Sequence, residues 1–344
     1  MEVAATEPCE ITFDGLSGTS QYYARIRAYY TALDGTLVYS PWTCSENTIV
    51  TSAPSIKRLS YDGKVLELCA DAKQKIGYYD TLQGGCINGD YGYFVLYNRN
   101  KEKCKIAKFD MSTGECIKVS AILPIAHGND LAYNPDKNII IAVHSTENGK
   151  KVTIINPETL KIKTTKIINI DKSLPGMSES RRTSFKGIGA IAYNEKYQQY
   201  VARIKTLNDL LFLDSNLNPV RYVRLTKEDK QIFQGMDTAG DYVLVGQSFK
   251  KSSDYNLISV YDWAGNYVSK VNIKKGYELE CLFHSEEDYY AGFYTSYYKT
   301  YYVTAFKTVK VKNKKGKYVK KIVKYQKKKK KLIRVNYIYK MNKI

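Results

Sequence analysis

Short apolar runs alternate with turn residues through most of the chain. Leu131-Ala132-Tyr133-Asn134 and Ile191-Ala192-Tyr193-Asn194 match each other closely. Each leads into a turn, Pro135-Asp136-Lys137-Asn138 or Glu195-Lys196-Tyr197, and then into a second apolar run, Ile139-Ile140-Ile141-Ala142-Val143 or Gln199-Tyr200-Val201-Ala202. Further on, Lys151-Val152-Thr153-Ile154-Ile155 runs into Asn156-Pro157-Glu158-Thr159, and Leu257-Ile258-Ser259-Val260-Tyr261 into Asp262-Trp263-Ala264-Gly265. Asn, Asp, Pro and Gly between such runs predict antiparallel meanders of short strands.

A coarser repeat overlies this pattern. Gln83-Gly84-Gly85, His127-Gly128-Asn129-Asp130, Lys186-Gly187-Ile188-Gly189 and Gln234-Gly235-Met236-Asp237 each place a polar residue before Gly and a short strand. Tyr277-Glu278-Leu279-Glu280 takes the fifth place without the Gly. Markers at Gly84, Gly128, Gly187, Gly235 and Leu279 are spaced by 44, 59, 48 and 44 residues. A period of about 40–50 residues with four strands per unit is the mark of a β-propeller. The expected fold is therefore all-β, with blades near 78–120, 121–170, 185–228, 231–273 and 276–344; six blades is the alternative. Leu332–Tyr339 is expected to close the ring, and residues 53–77 read as a linker or part of a closing strand. The polar stretch Asp171–Ser184 reads as a mobile loop that lengthens one interval.

The first 52 residues carry a different pattern. Tyr23-Ala24-Arg25-Ile26-Arg27-Ala28-Tyr29, then Tyr39-Ser40-Pro41-Trp42-Thr43 and Asn47-Thr48-Ile49-Val50-Thr51, resemble the last three strands of a fibronectin type III domain, with Ile11–Leu16 as the strand and turn before them. Such a sandwich needs about seven strands, so the resemblance implies a partial β-sandwich and a chain that begins inside a longer gene product. The Asn129-Asp130-Leu131-Ala132-Tyr133-Asn134-Pro135 phrase resembles propeller repeats in secreted proteins of Gram-positive bacteria, including the helveticin type. Together these resemblances imply an extracellular or cell-surface setting.

Composition sharpens the picture. The 32 Tyr, with many Val, Ile and Thr, suit pleated, half-buried surfaces. No apolar stretch is long enough to span a membrane, and the N-terminus lacks the basic and apolar regions of a signal peptide. Of the formal charge of +19, 18 units lie between Lys299 and Ile344, where no Asp or Glu occurs; residues 1–298 carry the remaining +1. The seven Cys show no CxxC and no zinc-ligand spacing, so they read as small buried hydrophobes, with a Cys104–Cys116 disulfide as one alternative. No phosphate loop, dinucleotide fingerprint, HExxH or nucleophile elbow is present, and no cofactor or metal is expected.

If the polar-glycine phrases begin the innermost strands, Gln83, His127, Asn129, Asp130, Lys186, Gln234, Asp237, Glu278 and Glu280 converge on a central channel. Three readings remain open. The groups solvate the channel and pair with each other, in a structural or protein-interaction propeller. Alternatively they form a polar floor for a glycan, with Tyr133, Tyr193 and Tyr242 as a stacking rim. In the third reading Asp130, Asp237 and Glu280 act as the carboxylates of a glycoside hydrolase, resembling the acidic trio of some five-bladed propeller hydrolases. His127 reads as a hydrogen-bonded channel residue, and His144 and His284 as structural residues without partners. A second candidate is the basic segment near 308–331: Lys310, Lys312, Lys314, Lys315, Lys317, Lys320 and Lys321, then Lys327, Lys328, Lys329, Lys330 and Lys331. It reads as a hairpin inserted in the last blade, either a solvated tip or a tether to an anionic cell-wall or membrane polymer; nucleic acid is disfavoured for want of stacking platforms.

Overall fold

The structure is a computed structural model. It describes residues 21–22, 24–44, 49–50, 59–68, 76–100, 102–144, 149–171, 174–205, 207, 209–226, 232–248, 256–273, 276–285 and 288–343. The proposed strand at Ile11–Leu16, Cys9 and Cys69 lie outside the described residues.

Five four-stranded antiparallel sheets are formed by the described residues. In chain order the first four comprise Thr81–Asn88, Tyr91–Asn98, Lys103–Asp110 and Cys116–Val119; Asp130–Asn134, Ile139–Val143, Lys151–Ile155 and Ile162–Ile167; Ile188–Asn194, Gln199–Ile204, Asp209–Leu213 and Pro219–Arg224; and Ile232–Ala239, Tyr242–Ser248, Asn256–Asp262 and Tyr267–Ile273. The fifth contains Glu278–Ser285, Asp288–Lys312, Tyr318–Lys343 and, from the other end of the chain, Leu59–Leu68. Part of the expected linker is therefore a strand. It pairs antiparallel with Tyr318–Lys343, and Leu66 and Leu68 are buried there.

The first strand of each sheet packs against the first strand of the next, and Glu278–Ser285 packs back against Thr81–Asn88, so the five inner strands form a closed cycle. Five apolar clusters fill the gaps between successive sheets. Val95 and Ile106 meet Ile140 and Ile155 in one, and Ile141 and Val143 meet Ile191, Tyr200 and Leu211 in the next. Val201 and Phe212 then meet Met236, Val243 and Tyr261, while Leu244 and Ile258 meet Leu279 and Phe293. The last cluster joins Phe283, Tyr290, Leu66 and Leu68 to Leu82, Phe94 and Phe109, bringing the fifth sheet onto the first. Each sheet is thus covered on both faces. That is why Ile139–Val143 is continuously apolar rather than alternating, with neighbours such as Ile140 and Ile141 serving opposite gaps. This arrangement is a β-propeller.

The turns between third and fourth strands repeat one device. Asp110, Asn156, Asp214 and Asp262 each end or follow the third strand, and each side-chain Oδ1 accepts from backbone N–H groups two to four residues on, at 2.8–3.0 Å. Asx turns of this kind satisfy the backbone where the ladder ends.

Two sequence expectations are corrected here. The segment 171–184, expected as a mobile loop, is anchored at its described residues: Leu174 and Met177 are buried in the cluster between the second and third sheets, a short helix spans Glu179–Thr183, and Arg181 pairs with the buried Asp209. Cys104 and Cys116 are both free thiols. Cys116 lies opposite Phe109, five residues along the strand from Cys104, whose Sγ instead donates to the Ala126 carbonyl at 3.0 Å.

Near the N-terminus, Tyr29–Thr31 pairs with Leu37–Tyr39, Arg25–Ile26 with Thr43–Cys44, and Gln21–Tyr22 with Ile49–Val50. Arg25 and Arg27 lie over the Trp42 ring at 4.5 and 4.6 Å. The described side chains of this hairpin are largely exposed, with no second sheet against them among the described residues.

Candidate functional site

The inner strands surround a small cavity of about 50 Å³ to which all five contribute: Cys86, Leu131, Tyr133, Ala192, Tyr193, Met236, Asp237, Phe283 and His284 are among its lining residues. Distant side chains do meet on a common axis, but not as a single pocket. The axis is blocked by Asp130, which has 0% exposure. Its Oδ1 accepts from Leu131 N at 3.0 Å, and its Oδ2 accepts from Ile191 N and Met236 N, each at 3.2 Å. One carboxylate therefore ties the inner strands of the second, third and fourth sheets together. Burial pushes its carboxyl well above the usual range, while the three N–H donors favour the charged form.

Glycine permits this close approach. A Cβ on Gly84 would lie 2.6 Å from the Asp130 Cα, and one on Gly235 would lie 2.7 Å from the Cys281 Cα. Both neighbours are backbone, so neither could give way.

On the cavity side of Asp130, Asp237 accepts from the His284 ring, with Nδ1 at 2.9 Å from both carboxylate oxygens, and His284 stacks on Tyr289 at 5.6 Å. His284 is thus not the partnerless residue expected. The two residues lie 47 apart on neighbouring inner strands, a pairing that becomes visible only once the ring is assembled. His144 also has a partner: its Nε2 lies 2.7 Å from Thr153 Oγ1, and burial holds its pKa below the usual value.

On the other side of Asp130 the inner strands carry a series of irregularities. The ladder to the second strand slips at Gln83, at Gly189, at Gln234–Gly235 and at Glu280. A β-bulge inserts one residue and re-aims its side chain; four of the five inner strands carry one at or beside the repeated phrase, while the second, Asp130–Asn134, pairs without a slip. These residues sit at one level. Asn129 Nδ2 donates to the Gly189 carbonyl at 2.7 Å, and Gly235 lies beside Glu280 and Cys281. Gln234 Nε2 donates to Ser248 Oγ at 3.0 Å and to Glu278 Oε1 at 3.2 Å.

Glu280 is only 3% exposed. Burial, reinforced by neighbouring Glu278, pushes its carboxyl well above the usual range against the pull of Arg99. Burial likewise raises Glu278. His127, with Nδ1 at 3.3 Å from Asn129 Oδ1 and its ring 4.5 Å from that of Tyr97, is held below the usual imidazole value, chiefly by burial. Arg99, absent from the sequence-derived set, is a further charge at this end, its guanidinium 5.3 Å from the Tyr294 ring.

Gln234, Glu278 and Glu280 are thus brought together, with Arg99 in electrostatic reach of both carboxylates and of His127, which pairs with Asn129. Gln83 is buried at the equivalent bulge of its own inner strand, whereas Asp237 lies beyond the Asp130 plug and Lys186 is exposed ahead of its strand. Of the hydrolase trio only Asp237 lines the cavity; Asp130 is sealed and Glu280 lies at the polar level. Of the expected aromatic rim, Tyr133 and Tyr193 do line the cavity, but the third ring does not. Tyr242 is buried in the core, and the Tyr193 and Tyr133 hydroxyls are engaged by Asp136 and Asn138.

The basic segment forms a two-stranded ribbon. Asp288–Lys312 pairs with Tyr318–Lys343 without a break from Tyr289 opposite Met341 to Lys312 opposite Tyr318, and an Asn313 Asx turn closes its end. Beyond the Ser296–Arg334 pair no residue of either strand is buried. Seventeen residues per strand at about 3.3 Å each give a projection of about 55 Å. One face aligns Tyr298, Tyr302 and Phe306, exposed by 67%, 64% and 66%, and opposite them across the ladder stand Leu332, Lys328 and Lys324. Lys299 faces Lys331 and Lys310 faces Lys320, like charges directly opposed.

No family model matches the chain, and no curated protein matches it. Solved structures do. A tail fibre of Staphylococcus aureus phage P68 matches with TM-score 0.49 at 10% identity, over 82% of this chain and 52% of that one. Regucalcin, a calcium-binding protein from Agrobacterium tumefaciens, matches with TM-score 0.40 at 11% identity, over 68% and 86%. The Dos1 propeller matches with TM-score 0.35 at 11% identity, over 62% and 52%. The chain spans about half the length of the tail fibre and of the Dos1 chain.

Proposed function

We propose that this protein is a five-bladed β-propeller that acts as a non-catalytic binding module at a cell surface, and that it takes an anionic polymer along the ribbon between Lys299 and Arg334. One observation carries this reading: 16 Lys and Arg with no acidic residue lie on a ladder exposed on both faces, some pairs directly opposed. Like charges facing each other destabilise the free ribbon, so a bound polyanion relieves a repulsion as well as adding attraction. Exposed aromatic rings beside the lysines, the stacking surface that the sequence pattern did not reveal, offer faces for the C–H groups of sugar units on such a polymer.

The alternatives gain less support. A cavity of about 50 Å³ falls far below the roughly 300–1,000 Å³ of small-molecule pockets, so the cavity gives the glycan reading no support. Hydrolysis by Asp130, Asp237 and Glu280 lacks a shared chamber for the substrate. The partial fibronectin-like reading of residues 1–52 rests on the sequence pattern and supports the surface setting.

The test uses a defined poly(glycerol phosphate) chain. If Lys327–Lys331 neutralise about five phosphates, affinity falls on the order of 100-fold between 50 and 200 mM salt, by the counterion slope of flexible single strands. Replacing Lys327–Lys331 with Ala is expected to lower both the affinity and the slope. Affinity indifferent to salt, or unchanged in that variant, overturns the proposal.

A further inference from the structure

We infer that the polar level on the His127 side of the Asp130 plug is a binding site for a hard divalent cation of the calcium class, held by the carboxylates of Glu280 and Glu278 and by the amide oxygens of Gln83 and Gln234. It stands apart from the ribbon and does not depend on the polymer reading.

The first ground is the bulges. Three neighbouring inner strands break register at equivalent points, at Gln83, Gln234 and Glu280. A single bulge is local irregularity, but three at one level re-aim three oxygen-bearing side chains toward one axis.

The second ground is unused acceptors. Glu280 is nine-tenths buried and more, yet no hydrogen bond or ion pair reaches its carboxylate among the described residues. Gln83 is buried and spends its Nε2 on the Leu82 carbonyl at 2.6 Å, while Gln234 spends its Nε2 on Ser248 and Glu278. The amide oxygens of both accept nothing within the described residues. None of these oxygens is among the fully sealed side-chain atoms that lack a partner, so an ion can reach them, and one cation would relieve the repulsion between two adjacent carboxylates.

The third ground is donor type. Carboxylate and amide oxygens without thiolate or imidazole among them favour calcium over zinc, and calcium's tolerance of varied coordination number, where magnesium demands a near-ideal octahedron, makes calcium the expected ion. Arg99 attracts both carboxylates but its guanidinium lies over Tyr294 and forms no ion pair within 4 Å with either among the described residues. It is a competitor for the site.

The experiment is a calcium titration of the metal-stripped full chain, read by melting temperature and by terbium luminescence excited through tyrosine. Calcium is expected to raise the melting temperature by several degrees, magnesium to do so less, and terbium to bind at one site per chain. Glu280→Gln should abolish both signals while leaving the metal-free melting temperature unchanged or higher, since it removes an unpartnered carboxylate. Gln83→Ala should weaken binding about tenfold, and Arg99→Ala should tighten it. No metal response in the native chain, or a response that survives Glu280→Gln, overturns the inference. Polymer binding by the ribbon is measured separately, so failure of either reading leaves the other standing.

Discussion

At the scale of single residues, Asp130 decides more than any other. Its carboxylate accepts from three backbone N–H groups of three sheets, in a position without solvent. Asp130→Ala strands those donors, and an unsatisfied buried donor costs about 1–3 kcal/mol. Urea unfolding is therefore expected to show a loss of about 3 kcal/mol or more, with Asp130→Asn intermediate. A loss under about 1 kcal/mol would mean that the inner strands are held otherwise. The sequence made Asp130 legible as a convergent residue, but it could not show that convergence serves structure. That depends on the direction in which one side chain points relative to backbone some 60 and 106 residues away. Glycine told more. Gly84 and Gly235 recur beside polar residues because a Cβ there would collide with the neighbouring inner strand, and that constraint leaves a trace in the sequence.

At the scale of elements, the turns were legible and the bulges were not. Asp262 and Asn156 announce their turns through local chemistry, since the groups they satisfy lie within four residues. A bulge is defined against a partner strand, and nothing near Glu280 marks it as the inserted residue. The strand Leu59–Leu68 was legible only as one of two readings, linker or part of a closing strand, because its partner, Tyr318–Lys343, lies at the far end of the chain. Its importance can be measured by comparing chains that start at residue 59 and at residue 69. The first is expected to keep the propeller's stability. The second loses the burial of Leu66 and Leu68 and one edge ladder, at least about 3 kcal/mol by apolar area alone. Equal stability of the two would show that the ring closes without this strand. Asp171–Ser184 misled because its polar residues outnumber the apolar ones; Leu174 and Met177 suffice to pin it.

For the whole molecule, the sequence period translated directly into sheets because every unit solves the same problem. A twisted four-stranded sheet has two apolar faces, and stacking it radially between two copies of itself covers both. No helix among the described residues is long and apolar enough to cross a membrane. The charge is segregated accordingly: the ring is nearly neutral, and almost the entire net charge sits on one ribbon outside the core. Scaffold and recognition surface should then be separable. Cutting the ribbon between Tyr297 and Ile333 and rejoining the strands through Asn-Gly, a favoured two-residue turn, tests this most directly. The account predicts that the shortened chain keeps its melting temperature within a few degrees and loses measurable affinity for poly(glycerol phosphate) at low salt. Undiminished binding by the shortened chain, with its fold intact, would contradict it.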